Sequence, residues 1–472
     1  MVAIPARFLA TVLAVAGAAA ASPEVHVESA AGMSRLDVRG VRGAIEMRLG
    51  APGEVRWAAT ALESPGAGPE IAATASESAL RIGPAGEGVR TGCRLEIAVP
   101  PGLPVDVETE DGRVSASGLR SPLSVRGSGL DADLRGIADR VAVTIRGGKA
   151  ALSSVSGDVE IYGTDLAVAL AGVGGAVRAG LEGGSLEARE IAGGLDAALT
   201  GSTLVASQIS GSLVLRARGG TAAVEGLAGD ATVEMEGAPL KLIQAKGEIE
   251  VVADAGVDLR EGGGAARIDA SAGLVQVSGY EGSLEIRGAR DTRFLVTTVA
   301  GPVRLDGQGL RAAFRQLRGG AEIRVADSTV TVDGLEGDSF VDAEGGTLAV
   351  SRSADRLTVR SRGGDVRLHG LRGPVDVDAD GPRVQVAWAA VPQVEDSSVR
   401  NGSGPVEIGL AGPGGCGVEA RSRSGKVRAA LPGLATSDDG REVSGRFGTG
   451  GGASIRVEAE GDVVLRGVGP KE

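Results

Sequence analysis

The chain has 472 residues, more than a single ordinary core serves unless the residues are arranged as a repeat. Glycine occupies 78 positions without a Gly-X-Y triplet and prolines number 19, which excludes collagen, while aromatics at 2% leave few platforms for stacking bases or sugars. A formal net charge of -12 argues against nucleic acid as a partner, and 42% hydrophobic residues are too many for a disordered chain.

In chain order, residues 1–21 read as a secretory signal peptide: Arg7, an apolar stretch from Phe8, and Ala19-Ala20-Ala21 before Ser22-Pro23. A retained N-terminal anchor is the alternative. No Cys follows the cleavage site, so a lipoprotein route is not indicated. Residues 22–101 form an N-terminal β cap region, with alternating stretches at 35–39 and 94–99 and a more polar passage at 61–78.

Residues 102–389 divide into sixteen units of 18 residues on average, a 17-residue unit at 246–262 being offset by a 19-residue unit at 281–299. In residues 210–227, Leu213 and Leu215 stand at places four and six, Ala222 and Val224 at thirteen and fifteen, and Leu227 at eighteen. Each pair has the period of a strand with one buried face, and glycine precedes each pair where the chain must turn. Each unit therefore forms two short strands and two turns. Glycine fills the second place in twelve units, which implies either a left-handed backbone angle or a close approach that a Cβ would obstruct.

Charge gives the register. The seventh place reads Asp269, Arg287, Asp306, Arg324, Asp342, Arg360, Asp378, and the fifth reads Glu250, Arg267, Glu285, Arg304, Glu322 in the opposite phase. Such a checkerboard requires each unit to lie on the next, parallel and in register. The predicted fold is all-β: a single-stranded parallel β-solenoid, β-helix or β-roll-like, of about sixteen 18-residue coils with N- and C-terminal β caps. After it, residues 390–472 continue the solenoid and close it, with Val391-Pro392 interrupting the register and 453–467 returning to strand alternation.

Residues 95–119, LEIAVPPGLPVDVETEDGRVSASGL, resemble the entry to the bacterial putative-adhesin β-solenoid family, an exported, auto-transporter-adhesin-like domain of unknown function, and the passages at 404–434 and 445–467 are similar to its closing segment. The resemblance implies an exported solenoid and supplies no catalytic residues.

Candidate chemistry is sparse. Only His26 and His369 are present, His369 on the outward side of a strand, and Cys93 and Cys416 lie at opposite ends of the array, roughly 75 Å apart at ~4.8 Å per coil, too far for a disulfide. The Gly-Gly pairs, as at Gly183-Gly184, lack the aspartate of a calcium-binding β-roll. Paired carboxylates, Asp131 with Asp133 and Asp376 with Asp378, are read as outward, solubilising positions rather than as a glycosidase pair. No catalytic, cofactor-binding or metal-binding residue is assigned, and no cofactor is expected. The expected function is a non-catalytic exported cell-envelope surface, adhesin-like or structural, in the periplasm, at the outer surface or secreted. Its partner would be an envelope or surface ligand, protein or glycan; the alternative is an envelope enzyme acting on polysaccharide from a β-helix.

Overall fold

A strand with alternating apolar residues buries one face only if another layer covers it, and short strands joined by tight turns meet that need by winding into a coil that stacks on the next. The computed structural model describes residues 24–62, 71–76, 78–85, 92–412 and 414–467, so the leader read at 1–21 lies outside them. Its described residues contain no helix; they form one right-through stack of parallel strands, a β-solenoid. Along the fourth place, Val141, Val159, Val177, Leu195, Leu213 and Ala231 follow one another in register. The irregular units keep that register, pairing Ile249 with Ala266 across the 17-residue unit and Leu284 with Val303 across the 19-residue one.

The inward columns at places four, six, thirteen, fifteen and eighteen are buried, as in Leu213, Leu215, Ala222, Val224 and Leu227. A further inward column stands at place eight, where Leu199, Ala217, Met235 and Ala253 close the core. In the first five coils strand geometry runs through the middle turn, giving elements such as Val141–Val155 and Val159–Val173 instead of two short strands. The reason lies in the ladder: only Gly147 is skipped at the bend, and pairing resumes at Gly148 with Leu166.

The two turns use glycine differently. At the second place only Gly337, with φ of +85°, takes a left-handed angle; elsewhere a Cβ would meet backbone, 2.5 Å from the Gly211 carbonyl oxygen on Gly229 and 2.4 Å from that of Gly229 on Gly247. Close stacking of backbone on backbone is therefore what requires glycine there. The left-handed bend falls at place seventeen, and non-glycine residues adopt it repeatedly: Glu190, Gln208, Gln244 and Gln316 have φ of +55°, +57°, +55° and +55°. This bend turns place eighteen inward immediately after an outward place sixteen, which creates the aliphatic corner ladder.

The 17-residue unit ends in Gly262, where the preceding coil carries Ala245. Tyr280, one coil on, fills the space, and a Cβ on Gly262 would sit 2.0 Å from the Tyr280 Cε2. The buried phenol donates to the Gly264 carbonyl at 2.8 Å, and burial pushes its pKa up to about 12.

The charge ladders pair as read, Asp269 through Asp378, and they extend beyond the interruption at Pro392: Asp378 pairs with Arg400, and Arg400 with Glu458. Within the two ladders the shorter ion pairs run along a strand, between places five and seven, such as Arg304 to Asp306 at 2.8 Å and Arg287 to Glu285 at 3.0 Å. The cross-coil contacts Arg267 to Glu285 and Arg304 to Glu322 are longer, at 3.9 Å each.

At both ends the order of rungs in space departs from their order in the chain. Strands Arg35–Arg39 and Arg42–Leu49 lie between the first coil, Val105–Ser117, and the outer rung of Ala79–Pro84 and Gly92–Val99. At the other end, Ser454–Ala459 and Val463–Gly467 lie between the rung of Ser397–Asn401 and Val406–Leu410 and the outer rung of Cys416–Ser422 and Val427–Ala430. The outermost rungs are then covered by antiparallel strands, Glu54–Ala61 on Gly92–Val99 and Glu442–Phe447 on Cys416–Ser422. An end rung whose edge is paired antiparallel offers no parallel template to another coil.

Candidate functional site

The sequence-named residues do not converge. His369 is exposed on the outer face, in register with Ser351. Cys93 and Cys416 are free, fully buried thiols in opposite end rungs, and burial raises the pKa of each, the reverse of what an activated nucleophile needs. Asp133 is engaged by Arg135 at 2.7 Å and Arg113 at 3.5 Å, and its hydrogen bond from Arg135 holds its carboxyl below the usual range. Asp376 accepts from Arg356 at 2.9 Å and from Ser398 at 3.1 Å. Both are ordinary surface partners of arginine. Among the described residues no group of three or more His, Cys, Asp or Glu side chains could hold a metal ion. The Gly183-Gly184 pair forms a left-handed bend, with φ of +75° and +87°.

What the coils do build together is a groove along the solenoid axis, enclosing about 2160 Å³ and running from Arg39 in the N-terminal rung to Ala289 in the eleventh coil. Its walls are the outward places seven and nine, and its floor is the backbone of place eight, whose side chains point into the core. Charges at the seventh place are paired at the N-terminal end and in the seventh and eighth coils: Arg39 lies 3.6 Å from Glu108, and Arg216 lies 3.6 Å from Glu234. Between Arg126 and Arg216 the seventh place carries Thr144, Tyr162, Gly180 and Ala198, a stretch of that column without charge.

Tyr162 is 43% exposed, whereas Tyr280, Phe294, Phe314 and Trp388 are all buried. One edge of its ring lies beside the next coil, where a Cβ on Gly180 would be 2.8 Å from Cδ1 and 3.1 Å from Cε1 of the ring. Glycine at 180 thus leaves room for that edge of the ring. Composition alone argued against such a platform. An aromatic at an outward place of the 18-residue frame was the available signal, shared only with Phe340, over which Arg360 packs at 5.4 Å.

No family model matches the chain, and no curated protein matches it. Among solved structures, one of a putative cell adhesion protein from Clostridium sporogenes is similar over 43% of this chain and 99% of its own, at 12% identity and a TM-score of 0.19.

Proposed function

We propose that this protein is a member of the putative-adhesin β-solenoid class that is exported and acts at the cell envelope as a non-catalytic, adhesin-like or structural interaction surface. The observation that carries this reading is the groove: eleven coils and the N-terminal rung contribute to one continuous concavity, while Asp133 and Asp376 are paired with arginine and Cys93 and Cys416 are buried as neutral thiols. A long concave face built from repeated units is the usual binding surface of solenoid proteins. Export follows from the signal-like residues 1–21.

The test is fractionation of the native host followed by photo-crosslinking from a probe placed at Thr144 in the groove. The reading expects an envelope or extracellular fraction and a crosslinked product that a probe at His369, on another face, does not form. A wholly cytoplasmic distribution, or equal labelling from both positions, would overturn it. Release of product from cell-wall or uronate-containing glycans by the purified protein would replace it with an enzymatic role.

A further inference from the structure

Resting on the reading of the groove as the interaction surface, we infer that its middle is a binding site for a chain of pyranose sugars, centred on Tyr162. Three features of the site point to this chemistry. First, the ring of Tyr162 lines the groove and is 43% exposed, with only its Cδ1–Cε1 edge set against Gly180. A flat, exposed aromatic face suits the axial C–H bonds of a pyranose ring, which are slightly positive and apolar, against the negative face of the π-system.

Second, the hydrogen-bonding groups around that ring are uncommitted. Arg126 and Arg146 lie on the N-terminal side of Tyr162 and Glu182 on the C-terminal side, all lining the groove. None of the three enters an ion pair or side-chain hydrogen bond with another described residue, in contrast to Arg39, Arg216 and Arg218, which are all paired with carboxylates. With Thr144 and Thr164 beside the ring, the site offers donors and acceptors on both sides of a stacking plane, as a polyhydroxylated ring requires. Third, the groove runs along the stacking axis, in which coils repeat at ~4.8 Å. That step is close to the rise of one sugar in an extended β-linked polysaccharide, so successive sugars meet successive coils.

An extended polypeptide is disfavoured by the same geometry. Inside the groove the backbone N–H and C=O groups of neighbouring coils are consumed by their parallel ladder, as from Thr144 to Tyr162 and Gly180, and offer no free strand edge to a peptide.

The experiment uses the full chain and two soluble probes, a β-1,4-linked N-acetylglucosamine hexamer and a galacturonate hexamer, which separate a neutral from an acidic glycan source. Binding is measured by calorimetry, and separately by the fluorescence of Tyr162→Trp, whose indole would report directly from the groove. At least one hexamer is expected to bind, to perturb the Tyr162→Trp emission, and to bind roughly tenfold more weakly to Tyr162→Ala, as loss of one stacked ring implies. Tyr162→Phe should retain binding. Because Tyr162 is outward and half-exposed, Tyr162→Ala should melt as the parent does, and a lowered melting temperature would direct the comparison to Gly180→Leu, which retains Tyr162 but displaces its ring and should weaken hexamer binding likewise. If neither hexamer binds, or if binding is equal in Tyr162→Ala, the glycan assignment is overturned. Should Tyr162→Ala still crosslink to envelope material from Thr144 at full yield, the glycan assignment fails alone. Loss of crosslinking from the parent chain would remove both readings.

Discussion

Replacing Gly211 with alanine puts a methyl group where the preceding coil already has backbone. The added Cβ would lie 1.9 Å from the Gly193 carbonyl oxygen and 2.4 Å from its carbon, against a comfortable separation of about 3.5 Å. The two coils must part by on the order of 1 Å or more to accept it. Two backbone hydrogen bonds flank that point, from Ser210 N–H to the Ile191 carbonyl at 2.9 Å and from Leu195 N–H to the Ser212 carbonyl at 2.9 Å. Opening each by that amount takes it beyond hydrogen-bonding distance, at about 1–3 kcal/mol for a buried group left unpaired, so Gly211→Ala should cost roughly 2–5 kcal/mol. Gly263→Ala is the matched control, since nothing lies within 4 Å of a Cβ there and its φ is not left-handed. Thermal melting gives the size of the effect, and hydrogen exchange its location, which should be the sixth and seventh coils because solenoid units interact only with their neighbours. A Gly211→Ala protein that melts and exchanges like the Gly263→Ala control would refute backbone stacking as the reason for glycine at this place.

Val341 is fully buried between Ile323 and Val359, so Val341→Asp should lose several kcal/mol and loosen adjacent coils first, while Asp342→Val on the outer face should be nearly neutral; exchange maps of the two variants decide the assignment of faces. Arg324 stands between Asp306 and Asp342, and Arg324→Glu would put three carboxylates in one column, at a cost of about 1 kcal/mol at low salt that shrinks with added salt; a salt-independent melting difference would count against the ladder. Asp396 accepts a hydrogen bond from the Ser454 N–H at 2.7 Å, which holds its carboxyl below its usual 3.8 and ties the last strand pair to the rung it lies on. A depressed folded-state pKa contributes stability above the unfolded value and loses it as pH falls, so exchange in residues 454–459 should rise below about pH 4, and Asp396→Ala should show the faster exchange already at neutral pH. Thr298 holds a left-handed φ of +55° with a β-branched side chain, and Thr298→Gly should raise the melting midpoint by the equivalent of about 1 kcal/mol despite losing a hydrogen bond to Gln316.

Period, register and the inward columns at five places were legible in the sequence because a stacked repeat exposes each residue to the same two neighbours, so apolar residues and alternating charges recur at fixed intervals. Asp269 through Asp378 could be aligned on paper for that reason, and the structure pairs them in that order. The left-handed bend at place seventeen left no such trace: glutamine and glutamate adopt it beside glycine, and what imposes it is the need to turn Ile209, Ala245 or Leu317 into the core one residue later. Nor could the sequence order the end rungs. Residues 35–49 and 454–467 show the alternation of any other rung, and only the completed stack decides that each slips between two others, where both its edges are paired. The groove belongs to the same category. Tyr162 and Gly180 are a full coil apart in the chain, and their contact, which leaves the ring half-exposed in the groove, exists only once the coils have stacked.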